Sequence, residues 1–194
     1  SGCERLAVWS GGYWSVSQAD NTVFAMVTSS TGDSYVAGAF DWAGYYRHGH
    51  VAKFDRGELS CRSLGAGFDR SPAKLTVAPN GDLIAGGSFQ RIGSVAASGV
   101  ARWNGATWTP IGAGVDGYVN AVAVLPAGDV VVAGPIATAG GAPCSGVARW
   151  NGSSWSSLGP GAVAPIEVLA LTVTGSDVIA AGYFAVIGGV AATN

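Results

Sequence analysis

Val100-Ala101-Arg102-Trp103-Asn104-Gly105-Ala106-Thr107-Trp108-Thr109-Pro110-Ile111-Gly112 returns 47 residues later as Val147-Ala148-Arg149-Trp150-Asn151-Gly152-Ser153-Ser154-Trp155-Ser156-Ser157-Leu158-Gly159. A unit of this size seldom buries its apolar face alone, so it has to stack on its neighbours. Two weaker copies lie upstream. Val51-Ala52-Lys53-Phe54 is followed by Cys61 where the other copies have their second Trp, and Leu6-Ala7-Val8-Trp9 is followed by Trp14. Residues 1–194 therefore read as a single domain of four units.

A second element recurs between these copies. Asp33, Asp82, Asp129 and Asp177 each precede a short apolar run, at spacings of 49, 47 and 48. A glycine next to such an aspartate, between two apolar runs, signals a tight hairpin, with glycine supplying the positive φ. In the third unit, Val119 to Leu125 and Asp129 to Gly134 then form one hairpin, and Val100 to Trp103 with Thr107 to Ile111 form another around Asn104-Gly105. No window carries a capped 3.6-residue apolar period, and Pro165 and the valines of 162–171 favour a strand. The expectation is an all-β fold with four repeats of about 47 to 49 residues.

An apolar strand ending in Gly-Gly, a glycine-rich loop, a Val-Ala-Arg-Trp strand, Asn-Gly and a second Trp resemble the kelch-like repeats of bacterial secreted and cell-surface proteins. In repeat pattern alone they also resemble the central propeller of galactose oxidase. The resemblance implies a β-propeller of four-stranded blades, with the first strand of each unit innermost and the second Trp on the outermost. Ala25, Ala121, Ala123 and Ala170 suit crowded inner strands. The chain starts in the phase of two outer strands and ends in that of two inner ones. Four blades closed by pairing residues 5–16 with residues 166–184 are therefore expected, as in a hemopexin-like ring. Trp9, Phe54, Trp103 and Trp150 are expected as the repeat core.

Charged residues are only 11% of the chain and glycine accounts for 31 of 194, against roughly a quarter charged in ordinary domains. Residues 98–194 hold two of the ten basic and four of the twelve acidic side chains. Such a surface is weakly protected against association. A formal charge of −2 provides no cationic field for a phosphate backbone, which argues against nucleic acid. No apolar run reaches the 18 residues of a membrane-spanning helix, and no targeting signal is legible in this stretch. Low charge, Ser/Thr/Gly richness and the family resemblance point to an extracellular or cell-surface location.

The least repetitive stretch is Asp41-Trp42-Ala43-Gly44-Tyr45-Tyr46-Arg47-His48-Gly49-His50. Other units place small residues at the positions of Tyr45 to His48, so one loop carries most of the large polar and aromatic groups. Trp42, Tyr45, Tyr46, Arg47 and His48 are the candidates for ligand or partner contact, with carbohydrate as one ligand class. The same residues equally suit an irregular end of the fold or a surface that mates with another chain. His48 and His50 lack the third ligand of a stable transition-metal site, so neither metal nor another cofactor is assigned.

Cys3 and Cys144 stand six residues before Trp9 and Trp150, and they form the candidate disulfide. Cys61 reads as a small buried hydrophobe. Arg102, Arg149 and Lys53 stand ready to brace the repeated aspartates. Asn151-Gly152-Ser153 is a formal glycosylation sequence, but a hairpin explains it as well. No nucleophile elbow, zinc-protease helix, phosphate loop or calcium loop is present, and no catalytic residue is nominated. The expected function is a non-catalytic scaffold or protein-association module that self-associates or binds a protein partner. The alternative is ligand binding at the Trp42 to His50 loop.

Overall fold

The computed structural model of the chain describes residues 4–10, 13–43, 46–47, 49–54, 61–159, 162–163, 167–184, 186–187 and 190–191. For 4–10, 13–18, 42–43, 46, 162–163, 186–187 and 190–191 it describes the backbone alone. Among the described residues every regular element is a strand.

The chain opens with β1 (Glu4–Ser10) antiparallel to β2 (Tyr13–Gln18). Three four-stranded sheets of one connectivity follow. The first holds β3 (Val23–Thr28), β4 (Ser34–Gly38), β5 (Val51–Phe54) and β6 (Cys61–Ser63). The second holds β7 (Pro72–Val77), β8 (Leu83–Gly87), β9 (Val100–Trp103) and β10 (Trp108–Pro110). The third holds β11 (Ala121–Val124), β12 (Val130–Ala133), β13 (Val147–Trp150) and β14 (Trp155–Ser157). A last hairpin pairs β15 (Glu167–Thr174) with β16 (Asp177–Tyr183). Smaller sheets lie in the connections, among them Arg91–Ile92 with Val95–Ala96 and the three short strands Val115–Gly117, Ile136–Ala139 and Ala142–Pro143.

Turn chemistry sets the register. Gly81 and Gly128 sit at φ of 89° and 95°, and the turns close as Ala78 and Leu125 donate their N–H groups to the carbonyls of Asp82 and Asp129, each at 2.8 Å. A side chain with a Cβ is strained at such φ, so glycine is the residue the turn requires. Strand pairing then puts alternate residues on opposite faces. In the second sheet the row Leu75, Ala85, Ala101 shares one face, here the leading face, and Ile84 lies on the other, the trailing face.

Each trailing face packs on the leading face of the next sheet. Tyr35, Ala37 and Val51 of the first sheet meet Leu83, Ala85 and Ala101 of the second. Ile84 and Val100 meet Val130, Val132 and Ala148 of the third. Val131, Ala133 and Val147 meet Leu171, Val173, Val178 and Ala180 of the last hairpin. The core is thus a series of apolar layers between sheets, and small residues permit the close approach. A Cβ added at Gly86 would lie 2.5 Å from a methyl of Val122.

These units do not make the closed four-bladed propeller expected from the phase of the chain ends. They are discrete antiparallel sheets of two to four strands, without the closed, curled radial arrangement of blades. β1 pairs with β2 and β16 with β15, so the expected join of residues 5–16 to residues 166–184 is absent among the described residues. Inner strands pack in series, β3 on β7, β7 on β11 and β11 on β15, and β15 makes no comparable contact with β3. The physical reason is that a repeat pattern encodes pairing within a sheet and packing on the next one, both local. Joining the first unit to the last requires a further interface and the entropy of closing the longest loop.

Candidate functional site

The loop singled out in the sequence forms a short hairpin, Trp42–Ala43 against Tyr46–Arg47, with Trp42 opposite Arg47 and Ala43 opposite Tyr46. Tyr45 and His48 lie outside the described residues, as do the side chains of Trp42 and Tyr46. Arg47 is exposed, and its carbonyl accepts from the Ser63 hydroxyl at 2.9 Å, which ties the hairpin to β6. Beside it lies a cleft of 570 Å³ lined by Asp41, Arg47, His50, Phe68 and Asp69 among others.

His50 shapes that cleft. Its φ of 75° is unusual for a residue with a side chain. Its Nε2 lies 3.9 Å from an Asp41 oxygen, and its buried Nδ1 has no hydrogen-bond partner among the described residues. The opposite wall is held by backbone, with the Phe68 N–H donating to the Gly49 carbonyl at 3.0 Å. Asp69 is committed to structure, since one of its oxygens accepts from the N–H groups of Gln90 and Arg91 at 2.9 and 3.0 Å. The cleft therefore brings the polar residues Arg47, Asp41 and His50 to one wall-lined space. Among the described residues no group of three or more His, Cys, Asp and Glu is placed to hold a metal ion.

The repeat-core candidates divide. Phe54 is buried, whereas Trp103 and Trp150 are half-buried and pack against the layers between sheets. The side chain of Trp9 lies outside the described residues. The deeper indoles are the second ones. Trp108 and Trp155 are buried and reach the preceding unit, donating Nε1–H to the carbonyls of Leu64 at 2.9 Å and Ile111 at 3.1 Å. Within each pair the rings are 5.6 Å apart and tilted. The Trp108 and Trp155 side chains thus join neighbouring units.

The braces at the repeated aspartates are present. Lys53 meets Asp33 at 3.0 Å, Arg102 meets Asp82 at 2.5 Å, and Arg149 holds Asp129 through Nε and NH2. A second repeated aspartate was missed in the sequence. Asp20, Asp69 and Asp116 each cap the backbone 21 residues on, accepting from the N–H groups of Asp41, of Gln90 and of Ala137. Their spacings of 49 and 47 match the unit length and were the available signal. The hydrogen bonds from Thr138 and Ala137 hold the Asp116 carboxyl below its ordinary value.

Cys61 is buried, in the place of the second Trp. Cys144 is also buried, its Sγ 3.9 Å from the Ile136 carbonyl, and burial, with Asp116 nearby, pushes the thiol up. Both are poor nucleophiles for that reason. Cys3 lies outside the described residues, and with it the pairing of Cys3 and Cys144.

The two ends of the sheet series expose apolar side chains. Phe24 and Met26 are exposed on β3, and Leu169, Ile179 and Tyr183 on the last hairpin, with Phe24 and Leu169 lining one pocket together with Lys74 and Tyr118. The charged groups of that hairpin, Glu167 and Asp177, lie at its two tips.

No protein-family model matches the chain, and no curated protein sequence matches it. The resemblance to kelch-like repeats and to the galactose oxidase propeller is accordingly set aside, since the sheets do not close and no family supports it. The motif had captured hairpin chemistry, which many all-β chains share.

Proposed function

We propose that this protein is a non-catalytic association module, working outside the cell or at its surface, that acts by binding protein through its charge-poor second half. One observation carries the reading: Ile179, Ala181 and Tyr183, alternate residues on one face of β16, are all exposed, on a hairpin whose charges are confined to its tips. Soluble domains rarely leave such apolar groups clustered without a partner. Low charge and Ser/Thr/Gly richness support the extracellular setting. Sedimentation of the native protein over a wide concentration range tests the reading against a Leu169→Glu, Tyr183→Glu variant. The native protein is expected to grow in mass with concentration and the variant to do so less. A native protein that stays monomeric throughout, with the variant indistinguishable, overturns association through this half.

A second reading has its own observation, the buried Nδ1 of His50 in a polar cleft, unpartnered among the described residues. It assigns a small hydroxylated ligand, such as a carbohydrate, to Asp41, Arg47 and His50. The His50 ring resonances should then shift when monosaccharides are titrated to about 10 mM, the range of weak single-site binding. Unmoved resonances remove this reading.

A further inference from the structure

We propose that the face of the last hairpin bearing Ile179 and Ala181 receives the Met26 face of a second copy of this chain, so that copies join head to tail. The inference rests on the association reading above and names its partner.

The argument comes from the repeat itself. Ile179 follows Asp177 by two residues, as Tyr35, Ile84 and Val131 follow Asp33, Asp82 and Asp129. Those three are 9%, 2% and 0% exposed, each covered by the next sheet, whereas Ile179 is 53% exposed. Ala181 repeats the contrast, since its counterparts Ala37 and Ala133 are 0% exposed. Among the described residues the last hairpin therefore presents a trailing face without a leading face against it.

The first sheet presents the converse. Met26 holds the place of Leu75, Val122 and Leu171, all partly buried against the preceding sheet, yet Met26 is 64% exposed. The same packing recurs three times within the chain, and the Ile179 face and the strip along β3 hold matching positions of it.

Shape and charge agree. The outer part of the first leading face is already covered, with Val36, Ala52 and Phe54 buried, which leaves a strip along β3. The incoming face is also narrow, a hairpin of two strands. Ala170, Thr172, Ile179 and Ala181 on one side and Met26 and Thr28 on the other carry no charge, so contact strips water from no ion. Because the joined faces differ, every added copy leaves one of each open, and growth continues past the dimer.

Two single variants test this by sedimentation, Met26→Glu and Ile179→Glu. Each alone is expected to be monomeric where the native protein forms a ladder of sizes. Mixed, they are expected to give a capped dimer, because each retains the face that the other has lost; that recovery also shows that both are folded. A native ladder with a mixture that forms no dimer overturns the head-to-tail contact and leaves association as such standing. A native protein monomeric at every concentration overturns both.

The native protein supplies a readout free of substitution. Met26 is the only methionine, so peroxide oxidation reports on it by mass alone. Its oxidation is expected to slow about tenfold once roughly nine tenths of the chains are joined. Protection that is the same at all concentrations would mean that the strip is covered within one chain, and would overturn the proposal.

Discussion

Ile84 and Ile179 hold the same place in their hairpins, two residues after a repeated aspartate, and yet one is 2% exposed and the other 53%. Ile84 is covered by the leading face of the third sheet, with Val130, Val132 and Ala148 around it. Ile179 has no sheet on its outer side among the described residues. The difference lies in the neighbour and not in the residue. An interior layer and an end face are therefore one surface in two circumstances, and substitutions at matching positions measure what the neighbour contributes.

The largest effect is expected at Trp155, which fills an interior layer and donates to Ile111. Trp155→Ala should cost about 3 to 5 kcal/mol, the range for deleting a buried aromatic ring. Chemical unfolding measures it, and a loss below about 1 kcal/mol would mean that the layer collapses around the gap. Ile84→Ala should cost about 2 to 5 kcal/mol by the same cavity argument.

Gly112 comes next. Its φ is 56°, and a Cβ there would lie 2.5 Å from the Trp150 ring. Gly112→Ala should cost about 1 to 3 kcal/mol, from overpacking and a disfavoured backbone. An unchanged unfolding midpoint would show that the Trp150 ring moves aside freely.

Asp116 gives a pH-dependent test at the connection between the second and third sheets. Its folded carboxyl titrates below the ordinary value of 3.8 because Thr138 and Ala137 donate to it. Its contribution is present above that ordinary value and is lost as pH falls through the lowered folded one. Asp116→Asn should accordingly flatten the loss of stability on acidification. Parallel acid-unfolding profiles for the two proteins would contradict this.

The smallest effect is expected at Ile179. In dilute protein, Ile179→Ala should change stability by less than about 0.5 kcal/mol, as surface substitutions do. A cost approaching that of Ile84→Ala would erase the contrast between interior and end, and would mean that Ile179 is covered in the monomer.

Several features were legible in the chain. The strands, the Gly-Asp hairpins and the pairing of Lys53, Arg102 and Arg149 with aspartates follow from local spacing, and all appear. The depth of each Trp was not legible. Trp103 and Trp108 share a strand pair and a face, but only Trp108 reaches the Leu64 carbonyl of the preceding sheet. The capping role of Asp20, Asp69 and Asp116 was hidden because its acceptor geometry spans 21 residues and no turn signature marks it. At the candidate cleft the sequence drew attention to Arg47. His50 entered only as a weak metal ligand, and the cleft it lines takes its other wall from Gly65 to Asp69, distant in the repeat pattern.

The sequence by itself determined the all-β character, the unit length and the hairpins, because each is written in contacts between residues close along the chain or one unit apart. Tertiary structure alone decided that the units stay an open series of sheets. Whether a last face meets a first one depends on the accumulated angle of several interfaces, and no residue spacing records that angle. The same distinction separates Ile84 from Ile179: alternation places both on trailing faces, and only the arrangement of whole sheets leaves one of them exposed.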